Sequence, residues 1–211
     1  MLELDHIFCM VDPDDDWDER LTAAGVMLDA GRSHPGQGTR NRRIVWPEQY
    51  LELLWVEDWS EAAANPLRLD RRSDWVASGA SPFGFGFRGQ IPVEQRDEFW
   101  LYDRLPMRVW VHRDNERFPA RPMLFVLDVD PADKDRHRGR HRLPEVPSTH
   151  SGPLREVRVW DRATTDLPAY SGPPVRQHVA RSRIELLLGN SDIQNERTVE
   201  VTPLLCLHSA R

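Results

Sequence analysis

The sequence predicts an α+β fold, and three observations support this prediction. Residues 2–11 alternate in the strand sense, with Leu2, Leu4, His6, Phe8 and Met10 on one face and Glu3, Asp5, Ile7, Cys9 and Val11 on the other. Residues 12–25 carry the signals of a short helix, and residues 42–56 carry those of a β-hairpin. A shift of 79 residues places the acidic pair Asp18-Glu19 on a second acidic pair, Asp97-Glu98, which indicates a duplicated strand–helix start.

The composition places the chain among globular proteins. It has 211 residues, 39% of them hydrophobic, and eight tryptophans that can each bury a large area. The net charge of −6 argues against a general nucleic-acid partner. We expect a cytoplasmic protein without membrane contact, because no apolar run has membrane-spanning length and the N-terminus lacks signal-peptide features. Cys9 and Cys206 lie in apolar runs, which favours buried thiols over a disulfide or a nucleophile.

The first predicted strand carries a histidine on an apolar face. Because side chains alternate along a strand, one face is expected to hold Leu2, Leu4, His6, Phe8 and Met10. The acidic run 12–16 reads as a turn and a helix N-cap, and Gly25 as a C-cap. Between them Trp17, Leu21 and Ala24 have the spacing of an inward helical stripe.

Loop and strand signals continue to residue 56. A short strand is expected near Val26–Leu28, and residues 31–41 hold three glycines and a proline, which favour a loop. In the strand 50–56, Glu52 shares its face with apolar side chains, namely those of Tyr50, Leu54 and Val56. Residues 57–80 have a polar, helical pattern and are expected to link two modules.

The rest of the chain predicts further strands and one further helix. Strand patterns cover Phe83–Phe87, Met107–His112, Met123–Val129, Leu154–Trp160, Ile184–Leu188 and Thr198–Leu207. A helical pattern covers Val93–Tyr102. Residues 130–153 are rich in Pro, Arg, His and Asp and form the best candidate for a mobile insertion. Residues 164–177 contain too much Pro and Gly for a regular helix.

The order of these motifs resembles the glyoxalase-like domain family of the vicinal-oxygen-chelate superfamily, which also includes bleomycin-resistance proteins and extradiol dioxygenases. The matching motifs are Leu4-Asp5-His6, His34-Pro35-Gly36-Gln37-Gly38-Thr39-Arg40-Asn41 and Tyr50-Leu51-Glu52-Leu53. The resemblance implies paired βαβββ modules that form curved mixed sheets around a cleft. It implies a first module at residues 1–57, a helical linker at 58–82 and a second, divergent module with an extended C-terminal strand region at 83–211, in one compact unit.

The same resemblance implies a metal site. In the family, a His on the first strand and a Glu on the fourth are metal-ligand positions, and His6 and Glu52 stand at both. Imidazole and carboxylate together suit Zn²⁺, Ni²⁺, Mn²⁺ or Fe²⁺, and an ion with open positions could chelate two adjacent substrate oxygens. Asp128 or Glu185 is expected to complete the sphere or to act with Glu52 as a catalytic carboxylate, and His150 is another possible ligand. The alternative is a hydrogen-bonded core histidine and an ion-paired glutamate.

The candidate substrate-binding residues come from the glycine loop and two aromatic positions. They are His34, Gln37, Thr39, Asn41, Tyr50 and Phe85. Gly36 and Gly38 allow close backbone approach, while the polar side chains offer donors and acceptors. The alternative is a structural turn whose side chains cap strand ends. Phe85 falls on the position of His6 in the shifted alignment and could line a dry pocket, with core packing as its alternative.

The sequence supports two functions. The first is a metal-dependent lyase, isomerase or dioxygenase that acts on a small substrate with neighbouring oxygens. The second is a metal-free protein of the bleomycin-resistance type that binds a hydrophobic or aromatic small molecule. His6 together with Glu52 favours the first function, and Phe85 in place of a ligand favours the second. A homodimer, with the cleft shared between two chains, is also open.

Overall fold

The computed structural model describes residues 1–104, 108–130, 152–189 and 196–210. The strands in these ranges are β1 (Leu2–Met10), β2 (Arg32–His34), β3 (Thr39–Val45), β4 (Tyr50–Val56), β5 (Phe83–Gly89), β6 (Phe99–Tyr102), β7 (Val109–His112), β8 (Met123–Asp128), β9 (Leu154–Asp161), β10 (Tyr170–Ser171), β11 (Val175–Val179), β12 (Arg183–Leu188), β13 (Glu196–Thr202) and β14 (Leu205–Ala210). The helices are α1 (Trp17–Ala23), α2 (Trp59–Ala64), α3 (Leu69–Ser73), α4 (Trp75–Ser78) and α5 (Asp114–Arg117), and Val93–Glu98 forms a 3-10 turn. None of these helices is long and apolar enough to cross a bilayer.

The large sheet is built from two four-stranded halves that meet at β1 and β5. Its strand order is β2-β3-β4-β1-β5-β8-β7-β6, and β10 pairs with the start of β1. In each half the first strand pairs parallel with the fourth, because β1 pairs with β4 and β5 with β8. Each half therefore has the strand order of a βαβββ unit, with α1 in the first half and the 3-10 turn in the second. The predicted α+β class with mixed sheets is confirmed.

A second sheet of five strands covers one side of the large sheet. Its order is β11-β9-β12-β14-β13. A single hydrophobic cluster joins the two sheets and α1, and we call this side of the large sheet the core face. The cluster includes Leu4, Ile7, Leu21, Phe85, Val157, Ile184 and Leu205. Burial of these side chains is the main favourable term that holds the two sheets together.

The opposite side of the large sheet, which we call the site face, has its own hydrophobic cluster. Phe8 and Phe125 belong to it, and the helical segment adds Ala62 of α2 and Leu69 of α3. The polar, helical residues 57–80 therefore do more than connect the two halves, because they pack against the site face.

A β-bulge at Asp5 changes which side chains share a face. The register between β1 and β5 shifts between Leu4 and His6. Leu2 and Leu4 consequently lie in the core-face cluster, whereas the ring of His6 contacts Phe125 on the site face, with centroids 5.2 Å apart. The prediction that Leu2 and Leu4 share the face of His6 is therefore wrong, because strict alternation fails at a bulge.

Phe85 and His6 point to opposite faces of the large sheet. Gly86, and not Phe85, lies directly across from His6 in the β1–β5 pair. Phe85 is fully buried in the core-face cluster. Its expected role in lining a ligand pocket beside His6 is therefore corrected: the shift of 79 residues aligns positions that belong to opposite faces.

Four segment predictions differ from the structure. Residues 31–41, expected as a loop, contain β2 and the start of β3. Val26–Leu28 forms no strand, although two of its side chains pack against the core-face cluster. The helical pattern of Val93–Tyr102 stops early, because Phe99 begins β6 and pairs with β7. Thr198–Leu207 is a hairpin of two strands instead of one. Most of the predicted insertion 130–153 lies outside the described residues.

Both cysteines are buried free thiols, as predicted. Burial raises the pKa of Cys206 to about 11 and raises the pKa of Cys9 even further above its ordinary value. The reactive form of cysteine is the thiolate, which is scarce near neutral pH when the pKa is raised. Neither thiol is therefore suited to act as a nucleophile.

Two glycines of β5 leave space for two rings of β1. A Cβ atom on Gly84 would lie 2.2 Å from Cε1 of Phe8, and a Cβ atom on Gly86 would lie 2.6 Å from Cε1 of His6. Both distances are far below van der Waals contact. The rings of Phe8 and His6 can lie over β5 only because these two positions lack side chains.

We expect Gly84→Ala to lower the free energy of unfolding by about 1–3 kcal/mol, because the added methyl group overpacks the Phe8 ring. Phe8→Leu removes the ring atoms that the methyl would strike, so the double variant should be less destabilised than the sum of the two single changes. Urea unfolding of the four proteins measures this coupling. Strictly additive effects would contradict the contact.

Candidate functional site

The parallel pairing of β1 with β4 brings His6 next to Glu52. Tyr50 lies across from His6, and Phe8 lies across from Glu52. Nε2 of His6 is 3.8 Å from Oε2 of Glu52, and the ring of His6 stacks on Tyr50 with centroids 4.4 Å apart. His6 is 4% exposed and Glu52 is 8% exposed. The structure therefore brings together, in a nearly buried place, the two residues expected to bind a metal.

His34 adds a second imidazole to this site from the end of β2. Its Nε2 is 3.9 Å from Oε1 of Glu52, and its Nδ1 is 3.1 Å from Oγ1 of Thr39. Burial lowers the pKa of His34, although the negative charge of Glu52 opposes this effect. Because the ordinary pKa of histidine is about 6.5, the ring is neutral near pH 7.

The hairpin formed by β2 and β3 contributes three further polar side chains. Nδ2 of Asn41 donates a short hydrogen bond to Oε1 of Glu52, and Oδ1 of Asn41 accepts from the backbone N–H of Arg32 at 3.1 Å. Oγ1 of Thr39 donates to Oε1 of Gln37 at 3.5 Å. The predicted substrate-binding residues on this side of the sheet therefore gather around the His6–Glu52 pair; they are His34, Gln37, Thr39, Asn41 and Tyr50.

A buried ion pair borders the site. Nε of Arg43 lies 2.5 Å from Oδ2 of Asp29, and the guanidinium of Arg43 is 5.3 Å from the centre of the Tyr50 ring. Burial, together with the charges of Asp5 and Glu52, raises the pKa of Tyr50 well above its ordinary value. Its hydroxyl is therefore neutral. Sequence reasoning missed Arg43 and Asp29. The available signal was that Arg43 lies two residues after Asn41 on the same strand, so both side chains are expected on the same face of the sheet.

Asp5 connects His6 to a buried arginine. Its Oδ2 lies 2.8 Å from Nδ1 of His6, and its Oδ1 accepts a hydrogen bond from Nη1 of Arg88 at 2.9 Å. Arg88 also pairs with Glu3 at 3.1 Å. Asp5 and Arg88 are 1% and 4% exposed, so this network lies inside the protein. The sequence marked Asp5 only as part of a motif and did not indicate Arg88 at all.

Asp128 does not belong to the site. It ends β8, accepts a hydrogen bond from Nε1 of Trp110 at 3.2 Å, and lies 3.6 Å from Nη1 of Arg108. It is three residues from Phe125 along β8, so the alternation of side chains turns it toward the core face. The expectation that Asp128 completes the site is corrected, since its carboxylate instead binds Trp110 of the neighbouring strand β7 and lies close to Arg108.

Glu185 lies in the second sheet and is also separate from the site. It is 3.0 Å from Nε of Arg183 and 3.5 Å from Nε2 of His208. Its neighbours on β12 pack into the cluster between the sheets, which places Glu185 on the outer side of the second sheet. Its expected catalytic role is corrected for this reason. His150, the other possible ligand, lies outside the described residues.

The helix α2 holds the loop that connects β2 and β3. The two carboxylate oxygens of Glu61 accept hydrogen bonds from the N–H groups of Gly36 and Gly38, each at 2.7 Å. Asn65 donates to the carbonyl of Gly36 and to the hydroxyl of Tyr102. The segment expected only as a linker therefore fixes the loop that follows His34. Sequence reasoning missed Glu61 because the contact joins two segments that no local pattern relates.

The His6–Glu52 pair fits a divalent ion, but a third ligand is not in place. A separation of 3.8 Å lets Nε2 and Oε2 both reach one ion at about 2.1 Å. His34 faces the other oxygen of Glu52. Within the described residues, no group of three or more His, Cys, Asp or Glu side chains is arranged to hold a metal ion. The donors of the predicted pair are therefore suitable, whereas a complete coordination sphere is not formed.

The sequence matches the family model described as a glyoxalase-like domain over residues 4–166, which is most of the chain. The chain therefore belongs to the glyoxalase-like domain family. A comparison with curated proteins gave no match.

Several solved structures are similar to this chain at low sequence identity. A hypothetical protein from Staphylococcus aureus is similar with a TM-score of 0.56 and 11% identity, covering 99% of this chain and 98% of that chain. A hypothetical protein from Bacillus halodurans C-125 gives 0.41 and 14%, with 61% and 94% covered. Methylmalonyl-CoA epimerase from Mycobacterium tuberculosis gives 0.40 and 14%, with 62% and 89% covered. Only the first of these has a TM-score above 0.5, and at 11% identity its likeness concerns the fold alone.

We expect Glu61→Ala to free the β2–β3 loop, because two charge-assisted hydrogen bonds to backbone N–H groups are lost. The free energy of unfolding should fall by about 1–3 kcal/mol. Hydrogen exchange at the amides of Gly36 and Gly38 should become faster than in the unchanged protein. Glu57→Ala is the matched control, since the side chain of Glu57 binds Ser33 and Arg40 on the same hairpin, while its backbone N–H, which donates to the carbonyl of Gly38 at 2.9 Å, is kept in the variant. Equal exchange in both variants would contradict the role of Glu61.

Proposed function

We propose that this chain is a metal-dependent glyoxalase-like enzyme that acts on a small substrate with neighbouring oxygens, as a lyase, an isomerase or a dioxygenase. The observation that carries this proposal is the approach of His6 Nε2 and Glu52 Oε2 to 3.8 Å on the site face. Membership of the family supports it, because these are the family's ligand positions. A divalent ion held by His6 and Glu52 would polarise the two oxygens of the substrate.

The surrounding side chains orient the two ligands. Stacking on Tyr50 and an edge contact with Phe125 fix the plane of the His6 ring. Asn41 binds Oε1 of Glu52, which leaves Oε2 directed toward His6. Because both ligands are nearly buried, the low local dielectric strengthens their attraction for a cation. Packing and hydrogen bonding within the chain thus hold both donors in place.

His34 is the residue we assign as the proton acceptor. It is neutral near pH 7, and its Nε2 lies 3.9 Å from Glu52, within reach of a substrate bound at this carboxylate. It replaces Asp128 and Glu185, which lie elsewhere in the fold. Gln37 and Asn41 carry amide groups beside the same place and would bind substrate oxygens.

The metal-free binding hypothesis has lost the observation that favoured it, because Phe85 lies in the core-face cluster and not beside His6. If the protein binds none of the metals tested, this hypothesis is the one that is left. The cytoplasmic location and a homodimer stay predictions from the sequence.

Metal analysis tests the proposal. We expect protein purified without chelator, or loaded with Zn²⁺, Ni²⁺, Mn²⁺ or Fe²⁺, to hold close to one ion per chain by mass spectrometry of the metal content. His6→Ala and Glu52→Gln should each weaken metal affinity at least tenfold, because each removes one of the two donors.

His112→Ala is the matched control for metal binding. His112 is a half-buried histidine of the other half of the sheet, 3.5 Å from Glu98, and has no part in the site. This variant should keep the metal affinity of the unchanged protein. Absence of metal from the unchanged protein after all four loadings would overturn the proposal and leave the binding-protein hypothesis. An equal loss in the control would show that the ion binds elsewhere.

A further inference from the structure

Asp5 is placed as an acceptor for the ring of His6. Its Oδ1 receives a hydrogen bond from Arg88 at 2.9 Å, and its Oδ2 lies 2.8 Å from Nδ1 of His6. Asp5 forms an ion pair with Arg88 at 2.9 Å, and the oxygens of a carboxylate in such a pair act as hydrogen-bond acceptors. The proton between Asp5 and His6 therefore belongs to Nδ1 of the imidazole.

Thr39 plays the same part for His34. A threonine hydroxyl has one proton to donate, and that of Thr39 is directed to Oε1 of Gln37 at 3.5 Å. Its oxygen is consequently the acceptor in the contact with Nδ1 of His34 at 3.1 Å. The proton of this contact also belongs to Nδ1.

We infer that Asp5 and Thr39 are positioning residues that hold His6 and His34 in the same tautomer, with the proton on Nδ1 and the lone pair on Nε2. The purpose of this arrangement rests on the proposed function, since His6 can bind an ion and His34 can accept a proton only through a free Nε2 lone pair. The tautomers themselves follow from the hydrogen bonds alone and do not depend on a bound metal.

The distances to Glu52 agree with this assignment. Nε2 of His6 and Nε2 of His34 lie 3.8 and 3.9 Å from the two oxygens of Glu52. An N–H group facing a carboxylate at this place would form a hydrogen bond of about 2.7–3.2 Å. The longer separations are those expected when an unprotonated ring nitrogen faces a carboxylate oxygen and no proton lies between them. Asn41 donates to Oε1 of Glu52, so Nε2 of His6 and Oε2 of Glu52 are the two lone-pair donors that a cation would join.

The β-bulge explains how Asp5 reaches the ring of its own neighbour. In a regular strand, consecutive side chains point to opposite faces. The register shift between Leu4 and His6 leaves Asp5 outside the regular ladder. Its carboxylate can therefore bind Nδ1 of His6 and Arg88 at the same time. The irregularity of β1 thus serves the site, as bulges next to functional sites commonly do.

Nitrogen NMR of the metal-free protein tests the inference directly. Long-range proton–nitrogen correlations of the imidazole rings at pH 8 distinguish a protonated from an unprotonated ring nitrogen. We expect Nδ1 to be protonated and Nε2 unprotonated in both His6 and His34. Asp5→Asn should move the proton of His6 to Nε2, because an amide can donate to Nδ1. Thr39→Val keeps the shape of the side chain and should remove the preference of His34 alone.

Glu3→Gln is the matched control, because Glu3 is another carboxylate that pairs with Arg88. It should leave both tautomers unchanged. Metal affinity provides a second measurement: Asp5→Asn should lower it about 10–100-fold, whereas Glu3→Gln should not. A proton on Nε2 of His6 in the unchanged protein, or an unchanged tautomer in Asp5→Asn, would overturn the inference even if metal binds. The expected tautomers without any metal binding would support the inference and refute the proposed function instead.

Discussion

The candidate site depends on one backbone constraint, the parallel pairing of β1 with β4. This pairing sets Tyr50 beside His6 and carries Glu52 onto the same face, although the two strands are far apart in the sequence. Hydrogen bonds between parallel strands fix the register, and the register fixes which side chains meet. The hairpin of β2 and β3 extends the same sheet and brings His34 to the other side of Glu52. The pairing of strands in this sheet therefore sets the distances between His6, Glu52 and His34.

Several strands of the large sheet could be predicted because their patterns are local. The two-face pattern of residues 2–11 marked β1, the hairpin pattern of residues 42–56 marked β4, and the helix signals at 12–25 marked α1. The bulge at Asp5 could not be predicted, because the register shift that defines it appears only in the pairing with β5, a strand far along the chain. The same limit explains Val93–Tyr102, whose final residues join β6 because β7 is available as a partner.

The site could be predicted in part for a related reason. His6, Glu52 and the polar side chains of the hairpin stand in motifs that the family resemblance marks, and the structure brings them together. Asp128 and Glu185 were chosen only because each is a carboxylate in an apolar run, and such residues also form ion pairs at the edge of a core. Arg43 and Glu61 were missed because their partners lie in segments that no spacing rule connects to them.

The glycines of β5, Gly84 and Gly86, make the two halves of the large sheet unequal where they meet. The two halves of the large sheet are repeats of one topology, yet the ring of His6 fills the space over Gly86, where the second half would place its own equivalent side chain. Both halves cannot present a ring at this junction. In the described residues the space at this junction is therefore occupied by the His6 ring of the first half, and the second half contributes the backbone of Gly86 beneath it.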